Sequence, residues 1–474
     1  FKLEQNYRST QMIVSAANSL IEKNSEQIRK AVFSEKMKGE PIEVFNAYSD
    51  VEEGEIVGNK IIQLHCKQGY SYNDFAVLYR TNAQSRIFEE VLRKKSIPYK
   101  IYGGLSFYQR KEVKDVISYF RLAVNPHDEE AFKRVLNYPA RGIGDTTLNK
   151  IVAAANVHGV SLWKVVQEPL SYGLNINKGT HAKLQGFVEL IEGFIKDAQE
   201  KNAYEVGNAI VRMSGIMSEM YQDHSPENLS RRENIEELVN GMHDFCTTRQ
   251  EEGDEHILLT DYLAEVSLLT DQDNENEADG SKVTLMTIHS AKGLEFKNVF
   301  VVGLEENLFP SPMSLDSLRG LEEERRLFYV AITRAEEHCF LSFAKSRFKF
   351  GKTEFSNPSR FLKDIDICYL RMPQEAVYAR QIEQGASQFR AGVSEYANRY
   401  AKPERPKVEL IRPSVPRHLT KVSSTASSPS TSGSQATGLQ VGNVIEHERF
   451  GVGKVVKIEG IGDNCKATVE FQHA

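Results

Sequence analysis

Two stretches of this chain alternate short apolar runs with helix-spaced apolar residues, and the long stretch between them shows helical spacing alone. In the first hundred residues the runs fall at 42–45, 75–79 and 99–102, the last stopping at Gly103-Gly104. Ile56, Val57, Ile61 and Leu64, then Ile87, Phe88, Val91 and Leu92, supply the helical spacing between them. Such alternation predicts a parallel sheet covered by helices. Further runs return at 283–288, 299–302 and 339–343, apolar enough throughout to sit inside a parallel sheet. From about residue 107 to 280 the period is helical, as in Val113, Val116, Ile117 and Phe120, with turns at Asn125-Pro126, residues 142–144 and Ser225-Pro226. The simplest account is one α/β domain interrupted by a helical insertion.

After Arg371 the pattern weakens, and residues 422–438 are dominated by Ser, Thr, Gly and Pro, with no apolar spacing that could bury a core. That stretch reads as a disordered linker. Beyond it, short β segments at 444–445, 455–458 and 467–471, separated by glycine turns, suit a small barrel whose last strand is expected to be cut short by the chain end. The expected organisation is therefore 1–106 and 281–371 for the divided α/β domain, 107–280 for the insertion, 372–438 for the linker and 439–474 for the barrel.

A chain of 474 residues can bury several cores. No apolar run approaches the roughly 20 residues of a spanning helix, and FKLEQNYRST lacks the basic start and apolar core of a signal peptide, so a cytoplasmic protein is expected. Five scattered cysteines without C-x-x-C spacing support neither a disulfide framework nor a zinc site. The net charge of −6 argues against a basic unstructured arm but not against DNA binding, which follows the local placement of Lys and Arg. Residues 271–279, with five acids and no base, read as a solvated loop.

Four segments carry chemistry. Arg334 closes a helical stretch that opens with Glu322-Glu323-Glu324. A guanidinium there suits charge developing on a transferred phosphoryl group, and equally suits a helix C-terminus. Tyr7 beside Arg8 offers a ring for adenine and a cation for phosphate, or simply a surface pair. In residues 284–296 a strand ends in a polar, glycine-containing loop, where open α/β sheets bind ligands. Its hydroxyls and His289 suit a nucleic-acid backbone and Glu295 a ribose hydroxyl, and the same residues equally suit a solvated loop. Arg141, Gly142 and Gly144 precede a helix start whose N–H groups would suit a duplex phosphate, although a plain helix-helix turn explains them nearly as well. No G-x-x-x-x-G-K-[ST] occurs, and Gly351-Lys352-Thr353 lacks the preceding glycine that shapes a phosphate cradle. No acidic pair after a strand offers an obvious Mg²⁺ site.

Taken together, these segments resemble superfamily 1 helicases of the UvrD/PcrA/Rep group. LEQNYRST at 3–10 is similar to that family's motif IV, LYRTNAQSR at 78–86 to motif IVa, TIHSAKGLEF at 287–296 to motif V, and EEERRLFYVAITRA at 322–335 to motif VI. The resemblance runs on through IPYKIYGG at 97–104 and ARGIGDTTL in the insertion to the chain end. It implies a RecA-like domain (2A) interrupted by a mobile helical domain (2B), then a linker and a Tudor-like barrel associated with binding RNA polymerase. It implies that Arg8 and Arg334 are arginine fingers on the ATP γ-phosphate, that Tyr7 stacks on adenine and that Glu295 bonds the ribose. Arg80, Asn82, Thr287 and His289 would line the single-stranded DNA track, with the turn at Gly142 and Gly144 meeting duplex at single/double-strand junctions.

The expected function is that of an ATP-dependent 3′ to 5′ DNA helicase or translocase in DNA repair and replication. The chain starts at motif IV, so the first RecA-like domain, with the phosphate loop and most contacts to ATP and Mg²⁺, is expected to be missing and the chain inactive alone. The competing class is a non-catalytic DNA- and protein-binding module. A helicase-nuclease would need clustered Asp, Glu and Lys after Arg371, where a Ser/Thr-rich stretch stands instead.

Overall fold

The computed structural model describes residues 4–25, 30–223, 225–275, 280–349 and 351–373, and strands at 420–421, 444–447, 451–459 and 466–471. The first part holds β1 (Gln5–Asn6), α1 (Gln11–Ile21), β2 (Phe33–Ser34), β3 (Ile42–Ser49), α2 (Asp50–Gln68), β4 (Phe75–Tyr79), α3 (Ser85–Lys94) and β5 (Tyr99–Ile101). Local signals explain α2 well. Ser49 accepts from the Glu52 N–H at its start, acids fill its first turn, and Gly69, at φ 74°, ends it in the left-handed conformation.

Nine helices follow among the described residues of the insertion: α4 (Lys111–Val124), α5 (Glu129–Val135), α6 (Asp145–His158), α7 (Leu162–Gln167), α8 (Lys178–Glu200), α9 (Ala203–Met213), α10 (Ile216–Tyr221), α11 (Pro226–Glu251) and α12 (Leu259–Glu275). Helix α12 runs through the first residues of the acidic stretch 271–279 that the sequence suggested was a loop. The insertion has its own apolar core, in which Phe120, Phe132, Phe187 and Phe194 are fully buried.

The chain then returns through β6 (Val283–Thr287), β7 (Phe296–Val301), α13 (Leu318–Ile332), β8 (Ala335–Lys349), β9 (Lys352–Phe355), α14 (Phe361–Asp364) and β10 (Leu370–Arg371). The resulting sheet runs β10-β3-β8-β7-β4-β6-β5, with β9 added on β8. Every pairing along that path is parallel, and only β9 runs antiparallel. Strands from before and after the insertion are interleaved along that path, with only β8 and β7 adjacent from the same segment, so neither segment can complete the sheet alone. The insertion leaves after β5 and re-enters at β6, which pair Tyr99 with Val283, so a long excursion starts and ends at one place.

Both faces of the sheet are covered. Along β4, Ala76 and Leu78 pack with α1 and α13, whereas Phe75, Val77 and Tyr79 pack with α2 and α3. Period-2 alternation with both faces buried gives the uninterrupted apolar run seen in the sequence. The insertion is pinned to this domain by Arg86 of α3, which is buried and bonds Glu237 (2.6 Å) and Asp244 (2.9 Å) of α11. Gly241 leaves room for it, since a Cβ there would lie 3.0 Å from Arg86 Nη1.

The sequence missed α1, β1, β2, β9 and β10, and placed the start of α13 too late: Ser317 caps it by accepting from Gly320 N. Gly351, at φ 77°, lies in the β8–β9 hairpin turn, and Lys352 and Thr353 open β9 opposite Lys349 and Phe348. The chain divides into two compact units, Phe1–Ser387 and Gln388–Ala474. In the second, β11 (Thr420–Lys421), β12 (Val444–His447), β13 (Gly451–Glu459) and β14 (Lys466–Phe471) form an antiparallel sheet in that order. The last three match expected segments. Strand β11 falls inside the stretch read as linker, and residues 422–438 lie outside the described residues.

Candidate functional site

Apart from Arg141, Gly142 and Gly144 in the insertion, the predicted residues gather at opposite edges of the one sheet. Glu295 and Arg334 stand immediately before β7 and β8, whose first residues Phe296 and Ala335 are paired. The segment carrying Tyr7 and Arg8 is fastened to the same edge: Thr10 N donates to Glu336 O (3.0 Å) and Ser9 Oγ to Ala335 O (2.6 Å). Asn6 Oδ1 accepts from the N–H groups of Arg8 (2.8 Å) and Ser9 (2.9 Å), which fixes the turn. Arg8 Nε donates to Glu295 Oε2 at 2.5 Å and Nη1 to Thr333 O at 3.2 Å. An open cavity of about 450 Å³ is lined by Asn6, Tyr7, Arg8, Lys36, Glu295 and Glu336, and the Tyr7 ring is 76% exposed beside it.

Arg334 is not among the lining residues. Its Nε donates to Val330 O (3.0 Å) and its Nη1 to Leu294 O (3.1 Å), so in this conformation it closes the C-terminus of α13. Burial, and then the positive charge of Arg8, press its pKa below the ordinary arginine value. Two like charges held this close favour the arrival of an anion. Lys36 and Glu336 were not singled out from the sequence, because nothing local marks them as cavity residues.

At the other edge, β4 and β6 are neighbours with Tyr79 opposite Thr287, so Arg80 and Asn82 emerge beside Thr287 and His289. This is the C-terminal edge of the parallel strands, the usual ligand side of such sheets. Thr287 Oγ1 meets Ser290 Oγ at 3.0 Å, while Asn82 and His289 are exposed. Desolvation of the ring, then the charge of Arg80, hold the His289 imidazole below its ordinary value. The turn around Arg80 is held by Gln84, whose Oε1 accepts from the N–H groups of Arg80 and Thr81, both at 2.9 Å. Residues 288–295 then carry the chain from this edge across to the edge of Glu295 and β7.

Gln84 in turn lies against Gly303, which sits at φ 69° and where a Cβ would come within 2.1 Å of Gln84 Nε2. Gly303→Ala is therefore expected to destabilise the fold by about 1–3 kcal/mol through the left-handed backbone and the displaced amide. Urea denaturation measures this directly, and an unchanged midpoint would refute it.

Comparison with known proteins bears on what these two edges serve. The family model described as the UvrD-like helicase C-terminal domain matches residues 1–346. The chain belongs to the UvrD-like helicase C-terminal family. It is 37% identical to DNA helicase II of Salmonella typhimurium over 99% of this chain and 59% of that relative. It is 35% identical to ATP-dependent DNA helicase PcrA of Leuconostoc citreum over 99% of this chain and 60% of that relative. A PcrA of Staphylococcus aureus is 39% identical over 77% of this chain and 49% of its own length. The chain thus spans about three-fifths of the first two relatives.

Within this UvrD-like chain the expected contact at the insertion needs correction in one residue. Arg141 turns inward: Nη1 donates to the carbonyls of Val135 (2.9 Å) and Tyr138 (3.1 Å), and Nη2 to Tyr119 Oη (2.6 Å) and Ser214 O (3.2 Å). It braces the turn and is not presented to a phosphate. Gly142, at φ 69°, and Gly144, which precedes α6 without a side-chain cap, are both exposed. What the turn offers outward is backbone. Sequence pattern could not separate these roles, because an arginine beside glycines reads alike whether its guanidinium faces out or in.

Proposed function

We propose that this chain is the second RecA-like half of an ATP-dependent DNA helicase or translocase. The observation that carries the reading is the division of labour across one sheet: Arg8, Glu295, Arg334 and an exposed Tyr7 at one edge, and Arg80, Asn82, Thr287 and His289 at the other. The family membership and the relatives' names support it. Tyr7 would stack on adenine, Glu295 would accept from the ribose, and Arg8 and Arg334 would stabilise charge on the γ-phosphoryl group. Arg334 must first leave the Val330 and Leu294 carbonyls, which the arrival of a polyanion favours.

Among the described residues no group of three or more His, Cys, Asp or Glu could hold a metal ion. Mg²⁺ would be held with the phosphates by a partner RecA-like half and would supply neutralisation of phosphate charge there. Single-stranded DNA would lie along Arg80, Asn82, Thr287 and His289 and move 3′ to 5′ with each closure. The Gly142–Gly144 turn would meet duplex at a junction through N–H groups. RNA polymerase is the proposed partner of the β11–β14 sheet, and DNA repair and replication in the cytoplasm the proposed setting. No helix among the described residues is long and apolar enough to cross a membrane.

One observation favours a second reading: Arg334 bonded to backbone carbonyls also suits a DNA- and protein-binding module without catalysis. ATP turnover separates the two. We expect none from this chain alone, and turnover stimulated by single-stranded DNA when it is joined to a family phosphate-loop half. Turnover by the chain alone would mean an unrecognised phosphate site, and a joined form that binds ATP without turning it over would favour the non-catalytic module.

A further inference from the structure

Arg80 is held from two directions. Its backbone N–H is fixed by Gln84, and its guanidinium is gripped by Glu324 of helix α13. Arg80 Nε lies 3.1 and 3.2 Å from the two Glu324 oxygens, and Nη2 lies 2.7 Å from Oε1. The same carboxylate accepts from Ser311 N at 3.2 Å. The Glu324 side chain is only 7% exposed, whereas that of Arg80 is 20% exposed.

A carboxylate removed from water this far is costly unless its partners are well placed, and a fork-to-fork pair also fixes orientation. Guanidinium carries five N–H groups. With the Nε/Nη2 side turned to Glu324, the Nη1 side is left for an acceptor in the track. An arginine meant only to add positive charge would need no such grip, and an acid beside a polyanion would be a disadvantage.

We infer that Glu324 is a positioning residue for nucleic-acid binding: it holds the Arg80 guanidinium so that its other side meets a backbone phosphate of single-stranded DNA. The inference rests on the reading of Arg80 as a DNA contact given above. It runs against simple electrostatics, which has removal of a negative charge tighten DNA binding.

The test is binding of a fluorescent oligo-dT by the full chain, followed by anisotropy over a salt series. Parent, Glu324→Gln, Arg80→Ala and the double variant are compared. We expect Glu324→Gln to weaken binding about tenfold, the scale of a hydrogen bond to a charged group. In the Arg80→Ala background the same change should have almost no effect. Each single variant should also lower the salt slope by about 0.7, one single-strand phosphate contact.

Equal or tighter binding by Glu324→Gln overturns the inference. So does an undiminished loss in the Arg80→Ala background, which would mean that Glu324 acts through helix packing. Should Glu324→Gln fail to fold, Arg80→Lys decides: it keeps the charge without the fork, and must also bind about tenfold more weakly. Parent-like binding by Arg80→Lys overturns the inference. If the parent itself does not bind the oligonucleotide, the function proposed above fails and takes this inference with it.

Discussion

Arg334→Ala, placed in the chain joined to a phosphate-loop half, is expected to lower ATP turnover by about 10³-fold or more while a non-hydrolysable analogue still binds. The size follows from what an arginine finger does: it meets charge that exists only in the transition state, so its loss falls on turnover rather than on nucleotide affinity. The structure sharpens the expectation. Arg334 stands next to Thr333, whose carbonyl accepts from Arg8, so the two guanidinium groups are organised by one helix end. Arg334→Lys should recover little, because a point charge replaces a planar fork. Turnover undiminished by Arg334→Ala would remove Arg334 from the chemistry and leave it the role it has here, closing α13.

The second large effect concerns stability. Arg347 of β8 is buried among three carboxylates, bonding Glu305 at 2.7 Å through Nε and Glu53 at 2.8 Å through Nη2, with Asp50 3.6 Å from Nη1. Glu53 also accepts from Gly303 N (2.8 Å) and Ser342 Oγ (2.7 Å), and Glu305 from Ala344 N (2.8 Å). Arg347→Met is expected to destabilise the fold by about 3–5 kcal/mol, the scale for leaving buried charge uncompensated. Adding Glu53→Gln and Glu305→Gln should recover part of that loss.

The pH dependence has a definite sign. Burial already raises the Glu53 carboxyl above its ordinary value in spite of Arg347. A carboxyl with a raised folded pKa takes up its proton more readily in the folded state, so stability increases as pH falls through that value. Without Arg347 the value rises further, and the deficit should be largest above neutral pH and narrow on acidification. Urea denaturation across pH measures it. A deficit that is small, or constant with pH, would mean that water reaches these carboxylates.

How much of this was legible in the sequence depended on whether a residue's meaning is local. Phe75–Tyr79 was found to the residue because both faces of β4 are buried and nothing polar interrupts it. The fifteen-residue β8 was read only at its apolar centre. Its ends carry Glu336, Glu337 and His338, then Lys345, Arg347 and Lys349, where the strand leaves the sheet for the hairpin or enters the buried ion network. Arg8, Glu295 and Arg334 were legible through motif resemblance, and they meet at one edge. Lys36 was not, and Gln84 and Glu324 lie inside those motifs without the role the fold gives them. Each matters through a partner supplied by the folded backbone or by a distant segment, and residue spacing does not encode such contacts. Arg141 shows the converse, a residue whose pattern suggested a ligand and whose side chain serves the turn.

The segment 288–295 has a further consequence, which lies in its length. Tyr79 is level with Thr287 on one side, while Leu78 is level with Val301 on the other, so Phe296 starts about 20 Å below Thr287 along the strands at roughly 3.3 Å per residue. The path must also pass β4, and the intervening residues can reach about 30 Å at full stretch. Most parallel crossovers take up such a span with a helix of a dozen or more residues. This one folds instead into two consecutive turns, Ala291 N–H on Ile288 O (3.2 Å) and Leu294 N–H on Ala291 O (3.1 Å), so a pull at Ser290 opens these turns before it moves Glu295, and an inserted residue here would lengthen a tether rather than decorate a loop.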